Sequence, residues 1–351
     1  MRAPCRPRLY EPYIRDARDY VRLAEKCNGP IERPVFPDHI WGDALAWLER
    51  IQPALRLLNL ETSITTSGQA WPGKAIHYRM NPQNAACLES AAIDVCTLAN
   101  NHVLDWGYPG LEETLVSLAQ RSIRFCGAGA NLGEARQPAF VEIGGGNRVL
   151  VVSCGMASSG IPGEWAASGA KAGVFFLADY SSDSLDALAE TILPLKQPGD
   201  LIILSIHWGD NWGYALEPGQ REFAHALIAT AGVDLICDHS SHHPRGVEVH
   251  RGKLILYGCG DFINDYEGIR GHEQYSDDLR LMYFPSCDPD SGVLKSLLVM
   301  PLRARRFRLR RATRADCRWL LETLNRAGVN RGCEYEIAGG DTLSLKFRSF
   351  N

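Results

Sequence analysis

The stretch Asp234–Asp265, DLICDHSSHHPRGVEVHRGKLILYGCGDFIND, decides how the rest of the chain is read. It places His239, His242, His243 and His250 within a dozen residues, out of 10 histidines in the whole chain. Val233, Leu235, Ile236 and Cys237 form a short apolar run, the pattern of a buried strand. His239 and His242 then fall on the loop leaving that strand's carboxyl end, the edge at which open α/β sheets bind ligands. Imidazole is the commonest metal-binding side chain near neutral pH, and closely spaced histidines on a scaffolded loop suit a metal site. A solvated, histidine-rich loop is the plain alternative. The other segments decide between the two.

The 351 residues suffice for a full core, in one large domain or two small ones. A net charge of −4 with both signs mixed gives no whole-protein field toward nucleic acid. No apolar run approaches the ~20 residues that span a bilayer. The N-terminus MRAPCRPRLYEPYIRD lacks the apolar core of a secretory signal, so a cytoplasmic location is expected. The 11 cysteines are scattered, odd in number and without a CxxC pair. Several, including Cys96, Cys154, Cys237 and Cys259, sit in apolar runs, which suits reduced buried thiols better than a disulfide framework or zinc knuckle.

From the beginning, residues 1–37 read as irregular and polar, with prolines at 4, 7, 12, 30, 34 and 37. Asp38 can cap a helix to about Ile51, with Trp41, Ala44, Leu45, Leu48 and Ile51 on one face. LRLLNLE (55–61) is a strand, and a period of two turns its Asn59 and Glu61 to one side. A short helix near Pro82–Ala91 precedes the strand IDVCTLAN (93–100), which runs straight into NHVLDWG. Leu111, Leu115 and Leu118 define a helix over 108–122, and IRFCGAG (123–129) is a further strand. AFVEIG and RVLVVSCG (139–155) form a hairpin turned at Gly144–Asn147. The Gly/Ser-rich loop 156–172 lies over a site or at an edge. A helix at 182–197 leads to the strand DLIILSIHWG (200–209), and a helix at 218–231 leads to the opening stretch. A hairpin (GVEVH-RG-KLILYG), three antiparallel strands (LRLMYFPSC, VLKSLLVMPL, RRFRLRR), a helix at 314–327 and the strand TLSLKF complete the pass. This order predicts an α/β fold, a sandwich of two mixed β-sheets flanked by helices. The expected organisation is an irregular segment 1–37, a principal domain 38–300, and a strand–helix–strand extension 301–351 packed on it.

Glu61, Asn101–His102, His207 and His239/His242 each follow an apolar, strand-like run. One such histidine is ordinarily a hydrogen-bonded core residue. Four segments delivering Glu, Asn or His to strand ends are hard to obtain from packing alone. If the parallel strands are neighbours, those ends share one edge. Carboxylate, amide oxygen and imidazole together suit borderline divalent ions (Mn, Fe, Zn, Ni) better than Ca or Mg. Two ions bridged by a carboxylate could polarise a phosphoryl or acyl oxygen and generate hydroxide at neutral pH.

Asn59-Leu60-Glu61, LANNHVLDWG (98–107), GAGANLGEA (127–135), IHWGDNWGY (206–214) and DHSSHHPRGVEVHRGKLILYGCGDF, in this order, together resemble the CapA-type poly-γ-glutamate capsule-biosynthesis proteins of bacteria. That family lies in the calcineurin-like metallophosphoesterase superfamily. The resemblance runs from about Leu58 to Phe262. It implies a metallophosphoesterase-like fold with a dinuclear site, in which Asn101 binds metal and His102 is the catalytic acid toward the leaving group. It implies further metal ligands at His207, His239 and His242, and a bridging carboxylate at Glu61 with Asn59 beside it.

The chain departs from the family pattern in three places. Asp238 stands where the late motif usually opens with Gly, and could ligate or crowd the site. His243 makes two adjacent histidines, leaving open which faces a metal. No apolar strand ending in Gly-Asp precedes Asp38, and Asp16 and Asp19 are poor substitutes for its Asp. This predicts a late start or a truncated paralogue, with an unfilled slot in the sheet, a site short of one carboxylate, and poor solubility.

Asp105 could orient His102 or cap the helix that follows. Asp261 and Asn264 follow the strand LILYGCG at the same edge. Asp210, Trp208 and Trp212 could line a pocket or belong to the core. RARRFRLRR (303–311) could meet a polyanion, although its alternation reads more simply as a solvated strand face. No GxSxG or His-paired cysteine supports nucleophilic catalysis. The expected function is metal-dependent hydrolysis of a phosphoester or γ-glutamyl substrate, small or polyglutamate-like, in capsule polymer synthesis alongside other capsule-synthesis proteins. The rival is a non-catalytic polyglutamate-binding or scaffold component with a degenerate site.

Overall fold

Alternation with a period of two explains the central strand of the molecule. In Asn147–Met156, Val149 and Val151 face one way while Leu150, Val152 and Cys154 face the other. Both sets are buried, so this strand lies between two cores. The computed structural model describes residues 9–327 and 332–347. Parts of the expected N-terminal segment (1–8) and C-terminal extension (328–331, 348–351) lie outside the described residues.

The seven-stranded mixed sheet runs in the order Phe176–Leu177, Asn147–Met156, Asp200–His207, Leu235–Asp238, Lys253–Leu256, Val247–His250, with Ala139–Gly144 pairing Asn147–Met156. Its first four junctions are parallel and its two hairpin partners antiparallel. Helices Ser182–Ile192 and Gln220–Thr230 cover the outer face, where Leu188, Ile192, Phe223 and Leu227 pack on Leu150, Ile202, Leu204, Ile236 and Ile255.

The inner face is covered by two separate sheets. A parallel three-stranded sheet, in the order Leu57–Asn59, Val95–Thr97, Arg124–Cys126, meets Val149 and Val151 through Val95 and Cys126. A five-stranded antiparallel sheet built on Leu279–Cys287 and Leu294–Ala304 meets Leu254 and Leu256 through Leu281, Leu297 and Val299. Helix Gly107–Ala119 backs the three-stranded sheet, and helix Arg314–Arg326 backs the antiparallel one. The fold is thus the expected α/β sandwich of mixed sheets flanked by helices, with its second layer divided. No helix of the described residues is long and apolar enough to cross a membrane.

Several local expectations are corrected. Residues 1–37 include the helix Ala17–Asn28, whose N-cap Asp16 accepts from the Arg18 N–H at 2.9 Å. The prolines that marked the segment as irregular leave a gap from 13 to 29, long enough for three turns, and Tyr20 and Ala24 bury one face. The helix expected from Asp38 begins at Ala44. Gly42 just before it has φ +48°, and a Cβ there would lie 2.0 Å from the Leu309 carbonyl oxygen, so the chain turns sharply before the helix starts. The segment 305–311 forms a strand only at Leu309–Arg311. The strand Cys333–Ala338 was not expected and pairs with Thr342–Phe347. Strand Leu294–Ala304 runs through the expected boundary at residue 300.

Glu248 ties the sheet to the outer helix Gln220–Thr230. Its buried carboxylate accepts from Arg221 Nε at 2.9 Å and Tyr257 Oη at 3.0 Å, with His225 Nε2 at 3.1 Å. Burial pushes its pKa up, but Arg221, Tyr257 and His225 outweigh this and hold it below the usual value. The ionised form therefore stabilises the fold above the unfolded-state pKa of about 4.3, and that contribution is lost as pH falls through the lower folded value. Glu248→Gln is expected to cost about 2 kcal/mol in urea unfolding at pH 7. The difference from wild type should shrink as the pH is taken below the carboxylate range.

Candidate metal centre

The polar residues singled out in the sequence lie where strands have just run out. Strand Asp200–His207 ends on His207, Leu235–Asp238 leads to His239, Leu57–Asn59 to Glu61, and Val95–Thr97 to Asn100, Asn101 and His102. Ser205 Oγ donates to Thr97 Oγ1 at 2.9 Å, so the seven-stranded and three-stranded sheets are tied together just beneath the carboxyl ends of their parallel strands. Gly155 lies beside His207 in the parallel register. A Cβ on it would come within 2.9 Å of the Ala99 carbonyl and 2.3 Å of Ile161, so glycine is what lets these segments close around His207.

Glu61, His207 and His239 each offer a ligand atom, and the three atoms lie within 4.8 Å of one another. His207 Nδ1 is 2.8 Å from His239 Nδ1, and His207 Nε2 is 4.0 Å from Glu61 Oε1. An amide relay aims the carboxylate: Asn100 Nδ2 donates to Asn59 Oδ1 at 2.9 Å, and Asn59 Nδ2 donates to Glu61 Oε2 at 2.8 Å. Burial pushes the His239 pKa down to about 3 and that of His207 well below its ordinary value, so both rings are in the neutral, metal-binding form. Burial pushes Glu61 the other way, up to about 8. His239 Nε2 and Asn101 Oδ1 are buried polar atoms without a hydrogen-bond partner. Two neutral imidazoles, a buried carboxylate and an unpartnered amide oxygen on the neighbouring strand end are the donor types that fit a borderline divalent ion.

His102 is buried beside this set. Its Nδ1 lies 2.6 Å from Asp105 Oδ2 and 3.0 Å from Lys74 Nζ, and Lys74 Nζ donates to Asp105 Oδ1 at 2.5 Å. The Tyr78 N–H donates to Asp105 Oδ2 at 2.6 Å, and the Tyr78 ring stacks on the imidazole at 3.7 Å. Burial brings the His102 pKa down to about 4 against the opposing pull of Asp105. Helix Gly107–Ala119 starts without a side-chain cap, so Asp105 orients His102 and does not cap the helix.

The bacterial capsule synthesis protein PGA_cap family matches residues 14–266, which contain every residue of this centre. A "Probable polyglutamine synthesis accessory protein" of Mycobacterium tuberculosis is 49% identical over 324 residues, covering 92% of this chain and 85% of its own length. The "PGA biosynthesis protein CapA" of Bacillus subtilis is 28% identical over 197 residues, 55% of this chain and 48% of its own. The "Capsule biosynthesis protein CapA" of Bacillus anthracis is 26% identical over 192 residues, 55% and 45% respectively. The chain belongs to the PGA_cap family.

Other expected residues of this PGA_cap chain fall elsewhere. His242 stands beside the donor set but pairs with Asp261, Nδ1 to Oδ1 at 3.0 Å, and Asn264 Nδ2 holds the other Asp261 oxygen at 2.6 Å. Burial would lower the His242 pKa, but Asp261 and Glu61 outweigh it and push it up to about 9. Two ions were expected. Among the described residues a single three-donor set converges at this edge, and the other one found, His225, Glu248 and His250, lies at the outer helices. Asp238 pairs in register with Ile206, whose side chain enters the outer core. One residue from His239, it is turned to the opposite face, where its Oδ1 accepts from the Ser240 N–H at 2.9 Å. His243 bonds the Pro244 carbonyl at 3.0 Å and packs between Trp212, Tyr214 and Tyr275. Trp208 is core, Trp212 stacks on His242 at 5.3 Å, and Asp210 is exposed. Asp16 and Asp19 pair with Arg18 and Arg22 on the N-terminal helix.

Lys74, Tyr78 and Asn100 were not singled out. Asn100 lay inside the quoted LANNHVLDWG, where its neighbour Asn101 drew the assignment. Lys74 and Tyr78 come from the irregular loop after Ile64, where no periodicity marks a residue as buried. His207→Ala and His239→Ala are each expected to lower bound transition metal well below wild type, measured by elemental analysis of protein purified without chelator. Unchanged stoichiometry in both would remove the metal reading.

Proposed function

We propose that this chain is a metal-dependent hydrolase of a phosphoester or γ-glutamyl substrate, working in poly-γ-glutamate or capsule polymer synthesis. The observation that carries the reading is the convergence of Glu61, His207 and His239, with His239 Nε2 a buried atom that lacks a hydrogen-bond partner. Those three residues, with Asn101, would hold the ion. When bound, it supplies Lewis-acid polarisation of the substrate oxygen and a nucleophile at neutral pH. The names of the relatives supply the polymer context.

The chain's own residues then divide the remaining work. The Asn100–Asn59–Glu61 relay fixes the carboxylate before substrate arrives, so no reorganisation is needed during reaction. Asp105 and Lys74 hold Nδ1 of His102, and Tyr78 fixes the plane of the ring. A carboxylate only accepts, so the 2.6 Å contact with Asp105 Oδ2 puts a proton on Nδ1 of His102 and leaves Nε2 as the nitrogen that exchanges protons. As the imidazolium, the ring can pass its Nε2 proton to the leaving-group oxygen and return to neutral imidazole, and Asp105 stabilises the positive charge before the transfer. His242, held by Asp261 and pushed toward its cationic form, adds positive charge beside the site.

A non-catalytic, polymer-binding role is favoured by one feature, a donor set with a single carboxylate. One experiment separates the two readings: metal content of the purified chain set beside hydrolysis of an aryl phosphoester and of a γ-glutamyl anilide. His102→Ala should keep most of its metal while kcat falls by ~10²–10⁴-fold. Asp105→Asn should also keep its metal and lose part of that rate. Metal bound without turnover of either substrate would favour the binding role. Loss of metal in His102→Ala would make that histidine a ligand.

A further inference from the structure

A run of arginines occupies the hairpin between strands Leu294–Ala304 and Leu309–Arg311, outside the residues matched by the family. The antiparallel register sets Arg303 opposite Arg310, and like charges placed directly opposite weaken a strand pair. At the tip, Arg306 and Phe307 have φ of 55° and 51°. Bulky residues avoid this left-handed region, and a two-residue turn of this kind normally uses Asn-Gly. The surroundings hold the turn there. The Glu267 carboxylate accepts from the N–H groups of Arg306 at 2.6 Å and Phe307 at 2.8 Å. Arg306 Nε donates to the Asn28 carbonyl at 2.8 Å, and His39 Nε2 lies 3.0 Å from the Arg306 carbonyl. Strained backbone kept by such over-determination concentrates at functional sites.

The hairpin borders a cationic cleft. About 590 Å³ in volume, it is lined by Arg303, Arg305, Arg306, Arg310 and Arg311, with Asp316 the carboxylate among its lining residues. Asp316 is taken up by Arg303 at 2.7 Å, and Arg303 also meets Asp278. Arg310 lies 3.8 Å from Asp43. Among the described residues no carboxylate pairs with the guanidinium of Arg305, Arg306 or Arg311, that of Arg311 donating to the Gly340 carbonyl. On a chain whose net charge is −4, this is a local reversal of sign. Guanidinium forks match carboxylates in plane, and several along one cleft suit a repeating anion better than a single small one.

We propose that this cleft binds a polycarboxylate chain of the poly-glutamate type, at a site separate from the metal centre. The identity of the chain rests on the polymer reading above; the binding does not depend on hydrolysis. A short segment joins the two places. Asp261 pairs with His242, the Tyr266 hydroxyl meets that of Tyr78 over His102, and the next residue, Glu267, pins the arginine turn. A polymer held in the cleft is thus anchored one loop away from the centre.

The test is fluorescence anisotropy of the full chain with a fluorescein-labelled γ-linked glutamate 20-mer, at low and raised salt. Wild type should bind, with affinity falling as salt rises. The double variant Arg305→Gln/Arg310→Gln changes two exposed side chains and should keep the fold. It should bind about tenfold or more weakly. Arg318→Gln, exposed on the neighbouring helix outside the cleft, should bind as wild type does. The readout is affinity and not turnover, so failure of the hydrolase reading leaves this result intact. Three outcomes would overturn the proposal: unchanged affinity in the double variant, equal weakening in Arg318→Gln, or polyphosphate binding as tightly as the glutamate polymer with the same arginine dependence.

Discussion

Burying ionisable groups at a shared sheet edge is the constraint on which the rest of this molecule depends. A charge or polar group withdrawn from water costs several kcal/mol unless a partner compensates. Compensation here comes from residues far apart in the chain. Asn59 and Asn100 serve Glu61, while Asp105 and Lys74 serve His102, and Asp261 serves His242. His239 Nε2 and Asn101 Oδ1 are left without partners.

The sandwich makes that edge possible. The inner layer is divided between a parallel and an antiparallel sheet, so each half of the seven-stranded sheet has a different neighbour. The parallel neighbour brings Glu61, Asn101 and His102 up to His207 and His239. The antiparallel neighbour covers Leu254 and Leu256 and extends outward into the arginine hairpin. The candidate centre therefore lies between the seven-stranded and the three-stranded sheet, the cationic cleft beside the antiparallel one, and the segment 261–267 links them.

Much of this was legible in the chain. Strand–helix alternation, the two hairpins and the residues at strand ends follow from periodicity and turn chemistry, which act over a few residues. Glu61, His102, His207 and His239 could be singled out because a polar group ending an apolar run conflicts with its local pattern. The N-terminal helix was masked by flanking prolines, although the proline-free gap and Asp16 were both visible. The strand Cys333–Ala338 was missed because CEYEIA places charged residues between short apolar ones, and its pairing partner arrives only after a turn.

The sequence by itself determined which residue types stand at strand ends, because hydrophobic alternation fixes where each strand lies and where it stops. Only the tertiary structure decided which of them meet. Asp238 and His239 are chain neighbours, yet the pleat sends Asp238 toward the outer helices while His239 joins the donor set. Asp105 could have capped a helix or oriented His102, and the arrival of Lys74 and Tyr78 from a loop some thirty residues earlier settled it. Partners of that kind are selected by packing in three dimensions, and the local pattern that writes strands and helices carries no record of them.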